Sequence, residues 1–96
     1  MLTVIAHYRA STGNGDAVAA LLQTHLEATR SEPGCVQFLV YRSSDDRDVF
    51  ALYEQYDDEA AFQAHRESAH FRDNIVNGVV PLLTERSWHR YEELGA

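Results

Sequence analysis

From Leu2 to Arg9 the side chains divide with period two, Leu2, Val4, Ala6 and Tyr8 on one face and Thr3, Ile5, His7 and Arg9 on the other. Such a division, in a run rich in β-branched and aromatic residues, predicts a strand. Ser11–Gly15 is turn-forming, and Asn14 or Asp16 is placed to cap a helix. Between Asp16 and Ser31 the spacing changes: Val18, Leu21, Leu22 and Leu26 match the 3.6-residue period of an amphipathic helix. Pro33-Gly34 ends it, because proline disfavours helical geometry in its predecessor and glycine accepts a left-handed turn. Cys35–Arg42 and Asp48–Tyr56 return to strand patterning around a polar hairpin turn. Asp57-Asp58-Glu59 puts acid at the start of a helix through Phe62 and His65. Ser68 is the expected cap of a second short helix ending at Gly78, and Leu83–Tyr91 forms a last strand.

The order is β-α-β-β-α-β, which predicts an α+β, ferredoxin-like fold with an antiparallel sheet and both helical segments on one face. The other face is expected to be apolar as well, since Leu39 and Tyr41 alternate with Phe38 and Val40. No further helix remains to cover it, so a second copy of the chain is the expected cover, giving a homodimer with stacked sheets.

The whole of residues 1–96 reads as one domain. So short a chain buries only about 60–65% of its unfolded surface, which also favours a partner subunit. The lone Cys35 cannot form an internal disulfide and fits a reducing, cytoplasmic setting. Eight arginines, no lysine and fifteen acids give a net charge of −7, which argues against nucleic acid as a partner. No apolar run is long enough to span a bilayer, and the N-terminal segment lacks the pattern of a signal peptide.

Three titratable residues are expected to converge between helices and sheet. His25 shares the apolar stripe of the first helix with Val18 and Leu22, Glu54 shares a strand face with Phe50 and Leu52, and His65 stands three residues after Phe62. A buried carboxylate beside histidines is suited to proton transfer. No metal is expected: His65 and His70 stand about 140° apart on one straight helix, so only a break at Ser68 and a third ligand would make a site. Cys35 reads as a small buried hydrophobe. Phosphate-binding glycine loops and nucleophile-elbow motifs are absent.

Glu32-Pro33-Gly34-Cys35, then Tyr53-Glu54-Gln55-Tyr56-Asp57-Asp58-Glu59-Ala60, then His65 and Ser68-Ala69-His70-Phe71 resemble the antibiotic biosynthesis monooxygenase (ABM) domain family over nearly the whole chain. The resemblance implies a dimeric α+β barrel with a small-molecule cleft in each subunit. It further implies oxidation of an electron-rich quinol, anthrone or polyphenol, polyketide-like in type, by molecular oxygen without a cofactor. On that basis His65 is the candidate base, Glu54 an orienting group and His25 an assisting one, while Tyr8, Tyr56, His70 and Trp88 are candidate substrate-binding residues. The haem-degrading branch of the superfamily is disfavoured, because its asparagine and tryptophan positions are not matched.

Two alternatives stay open. Thr24-His25-Leu26 and the Tyr53-Glu54-x-Tyr56 run also resemble the isomerase of the phosphorylated autoinducer-2 signal, whose phosphate would want cleft cations such as Arg9, Arg66 or Arg72. A non-catalytic dimer that binds a small hydrophobic metabolite is the other.

Overall fold

The computed structural model describes residues 1–96. The strands β1 (Leu2–Ala10), β2 (Cys35–Arg42), β3 (Val49–Tyr56) and β4 (Leu83–Tyr91) form one sheet in the order β2-β3-β1-β4. Every neighbouring pair is antiparallel. Helices α1 (Gly15–Arg30) and α2 (Glu59–Arg66) cover one face, together with a wide π-helix at Phe71–Val79 and a short 3₁₀ turn at Val80–Leu82. This is the ferredoxin-like order expected from the sequence.

The core arises from the two periodicities. Val4, Ala6 and Tyr8 of β1 and Phe50, Leu52, Glu54 and Tyr56 of β3 point toward the helices and are buried. Val18, Leu22 and His25 of α1 and Phe62 and His65 of α2 come down on them. Register carries this face into β4, where Trp88 stands opposite Ala6 and Arg86 opposite Tyr8. On the other face Ile5, Leu39 and Tyr53 are half-buried and Tyr41 and Tyr91 exposed, interleaved with His7, Gln37 and Ser87. That face is bare in the single chain and more mixed in polarity than its alternation suggested.

Local chemistry sets the ends. Asn14 occupies the cap position of α1 without a side-chain bond, and the carboxylate of Asp48 accepts from the Gly15 amide instead, at 3.0 Å. Asp58 caps α2 by accepting from the Ala61 amide at 2.8 Å. Ser68 bridges the helical segments: its hydroxyl donates to the His65 carbonyl (2.7 Å) and accepts from the Phe71 amide (3.1 Å). One boundary differs from expectation. Gly78 does not end the second helical segment, which runs on through Val79 and the 3₁₀ turn. The position is instead small for packing: a Cβ there would stand 3.2 Å from Leu21 of α1.

Candidate active site

The turn between α1 and β2 determines the site. The Glu32 amide donates to the Thr29 carbonyl and the Cys35 amide to the Glu32 carbonyl, so the Glu-Pro-Gly turn is closed on itself. Gly34 then lies so near α2 that a Cβ would come within 2.5 Å of the Ala61 Cβ. Glycine permits this approach, and the approach brings the Glu32 carboxylate to α2.

One oxygen of Glu32 lies 2.8 Å from His65 Nδ1, and the same oxygen bonds His70 Nε2. Burial alone would push the Glu32 carboxyl up, but its bonds to the two rings outweigh this and hold it below its ordinary value. An ionised carboxylate only accepts, so both ring nitrogens facing it carry hydrogens. The far nitrogen of His65, Nε2, faces Glu54 at 3.9 Å. Glu54 is buried and accepts from the Tyr56 hydroxyl at 2.7 Å. Burial raises its pKa against the opposing pull of that hydrogen bond. Tyr56 itself is raised, by burial and by the neighbouring carboxylate.

Beside Glu54 and His65 is a cleft of about 20 Å³, roughly one water's worth of space. Val4, Ala6 and Tyr8 form its floor; Phe62, Phe71 and Trp88 form its aromatic walls. Arg66 and Arg86 complete the lining. The Arg66 guanidinium sits over the Trp88 ring, 4.8 Å from its centre. Tyr8 is raised to about 12 by burial and by Glu54, with Arg86 pulling the other way.

The expected convergence of His25, Glu54 and His65 is present, with different assignments within it. His65, Glu54, Tyr8 and Trp88 line the cleft. His25 does not: it lies in the core with its ring centre 5.3 Å from that of His65 and 5.6 Å from that of His70. Burial, then the two neighbouring histidines, lower its pKa to about 3, and its Nδ1 has no hydrogen-bond partner. His25 is therefore a neutral packing group behind the site. Tyr56 is not a cleft wall either: it is buried in the core, with its hydroxyl given to Glu54. His70 is drawn away from the cleft by Glu32.

The straight-helix argument against a shared ion also fails as geometry. α2 ends at Arg66 and the chain turns at Ser68, so Glu32, His65 and His70 bring ligand atoms within 4.8 Å of one another. These three are the residues that could hold a divalent ion.

Glu32, Arg86, Phe62 and Phe71 were not assigned to the site from sequence; of the three candidate cations Arg9, Arg66 and Arg72, only Arg66 lines the cleft. Glu32 carried a signal in its Glu-x-Gly-Cys motif, and Arg86 in its period-two relation to Trp88.

The chain matches the family described as Antibiotic biosynthesis monooxygenase over residues 1–75. It is 34% identical to "Putative monooxygenase Rv0793" of Mycobacterium tuberculosis over 86% of this chain and 80% of that protein. It is 24% identical to "Putative monooxygenase YcnE" of Bacillus subtilis over 81% and 82% of the two chains. It spans half the length of a further relative, sll1783 of Synechocystis. Among solved structures, one described as an antibiotic biosynthesis monooxygenase superposes with a TM-score of 0.91 at 25% identity, covering 99% of this chain and 100% of the other. The chain belongs to the ABM family. No helix is long and apolar enough to cross a membrane.

Proposed function

We propose that the chain is a cofactor-independent monooxygenase acting on an electron-rich phenol, quinol or anthrone. The observation that supports this most directly is the Glu32–His65 pair beside the aromatic cleft. With Nδ1–H given to Glu32, His65 has its Nε2 left to take a substrate proton. Glu32 stabilises the imidazolium that forms, and Glu54 adds a second carboxyl close to Nε2.

The chemistry balances without an added reductant. His65 takes the proton of a phenol or enol, and the resulting anion passes one electron to molecular oxygen. The radical pair joins through a new C–O bond to give a peroxide. The imidazolium returns its proton, the O–O bond breaks, and water leaves as a second C–H bond is lost. An anthrone methylene thus becomes a carbonyl, with one oxygen atom in the product and the other in water. The protein's part is orientation, exclusion of water and proton handling.

Oxygen uptake by EDTA-dialysed protein against quinols, anthrones and catechols tests this reading. Uptake above autoxidation is expected, falling at least tenfold in His65→Ala, which corresponds to about 1.4 kcal/mol of barrier. Saturable binding of the panel without uptake would overturn the oxygenase. Uptake lost on dialysis and restored by a divalent ion would overturn cofactor independence and point to Glu32, His65 and His70 as its ligands.

The isomerase reading has one observation in its favour: Arg66 and Arg86 line the cleft, as a phosphorylated substrate would want. It predicts product formation that does not depend on oxygen.

A further inference from the structure

Most of the arginines have a partner within the protein. Arg9 pairs with Asp46, Arg42 with Asp16, Arg72 with Asp73 and Arg90 with Glu59. Arg30 donates to the Phe38 carbonyl and Arg47 to the Ser43 carbonyl. Arg66 and Arg86 alone have neither a carboxylate within ion-pairing distance nor a backbone carbonyl, although the chain has fifteen acids to eight bases. Both line the one cleft that reaches His65 and Glu54.

Arg66 is half-buried, and Arg86 is exposed at the cleft's rim with the Tyr8 hydroxyl as its neighbour. The Arg66 guanidinium lies over the aromatic wall, its carbon 4.8 Å from the Trp88 ring centre and 5.7 Å from that of Phe71. A guanidinium carries five N–H donors, and none of those of Arg66 is given to a carboxylate or a backbone carbonyl. Arg86, across the sheet from Tyr8, adds a second set of donors on the same floor. Phe62, Phe71 and Trp88 match a flat ring. The cleft is too small for such a ring as it stands, so the ring must enter by displacing linings that are not buried, namely Arg66, Phe71, Arg86 and Trp88. An anionic group on the ligand would hold the two arginines in their displaced positions.

Resting on the oxygenase reading, we infer that the substrate is an aromatic acid: an oxidisable hydroxylated ring carrying a carboxylate, which Arg66 and Arg86 bind while the ring hydroxyl is presented to His65. The arginines are binding residues and set specificity; the proton transfer stays with His65.

The test compares 2,5-dihydroxybenzoate with 2,5-dihydroxybenzamide, which keep the same oxidisable ring and differ in charge. Calorimetric titration is expected to show the acid binding at least tenfold more tightly, with affinity falling as salt rises. The preference should disappear in Arg66→Gln/Arg86→Gln, whose fold is checked by circular dichroism and urea unfolding. Excited beyond the tyrosine band, the chain emits from its sole tryptophan, so a change in Trp88 fluorescence on binding of either probe locates it in the cleft. Equal affinity for acid and amide, or a preference that survives the double substitution, would overturn the inference. A displacement arm uses inorganic phosphate: release of the acid by equimolar phosphate would overturn the aromatic-acid assignment and favour a phosphorylated ligand. Charge-selective binding without oxygen uptake would leave Arg66 and Arg86 as the binding site of an aromatic acid while removing the oxygenase reading and, with it, the acid's role as an oxidised substrate.

Discussion

His65 Nδ1 lies 2.8 Å from the carboxylate of Glu32, a residue 33 positions earlier in the chain. The contact joins the turn after α1 to the buried side of α2, and it determines which nitrogen of the imidazole is left to face Glu54 and the cleft.

Glu32→Gln tests that relationship. The amide carries no charge and can give either an oxygen or an NH₂ to Nδ1, so tautomer control and imidazolium stabilisation are both lost. A fall of roughly 10–100-fold in kcat for oxygen uptake is expected, the range typical of a group that orients a functional histidine. KM should change little, and the pH–rate profile should move. An unchanged profile with proportional loss of folded protein would reduce Glu32 to a structural role.

The close approach at Gly34 gives a second prediction. Gly34→Ala drives a methyl group into Ala61 and should cost about 1–3 kcal/mol, as overpacking of tight contacts does. It should also slow turnover, because separating the turn from α2 lengthens the Glu32–His65 bond. Gly13→Ala is the control: that glycine has a positive φ of 87° with open space around it, so strain there should lower stability and leave turnover unchanged. Urea unfolding and oxygen uptake measured on both variants separate the two effects. Equal turnover in the two would count against the geometry.

Acid stability should depend on His25. Its folded pKa is lowered from 6.5 to about 3, by burial first and then by His65 and His70. An unfolded chain therefore takes up a proton there that the native state refuses. Stability is fully present above about pH 6.5 and is lost as pH falls toward 3, with a limiting slope of about 1.4 kcal/mol per pH unit. Glu32, lowered in the native state, adds its own loss only as pH falls below its ordinary range. Glu54, raised, works in the opposite direction. Denaturant unfolding between pH 5 and 7 should show the slope in the parent and a flatter curve in His25→Leu. Parallel curves would show that His25 is protonated inside the fold.

The bare sheet face leads to the fourth prediction. Tyr41 is 57% and Tyr91 45% exposed, beside half-buried Ile5, Leu39 and Tyr53. We propose that a second copy covers this face. Sedimentation should give twice the 10.9 kDa chain mass, and Tyr91→Asp should shift it toward one. A monomeric parent, or an unaffected dimer in the variant, would place the interface elsewhere or remove it.

Much of the site is legible one residue at a time. Helical spacing turns His25 and His65 inward, and the alternation of β3 does the same for Glu54, since each side chain's direction is set by the local backbone period. Sequence misplaces residues where separation along the chain is large. The burial of His25 and Tyr56 is encoded locally, yet burial does not distinguish a cleft wall from the packing behind it. His70 and Glu32 are visible as members of a motif, but their meeting depends on a helix break at Ser68 and a glycine contact 27 residues away in α2.

The sequence by itself determined the element order, the inward and outward faces and the excess of acid, because periodicity, capping and charge are properties of neighbours. The tertiary structure decided which inward-facing groups touch. Only the packing of α2 against the turn at Gly34 brings one carboxylate oxygen between two imidazoles. Only the register of β4 on β1 sets Arg86 and Trp88 over Tyr8 and Ala6, beside a cleft whose position no single segment encodes.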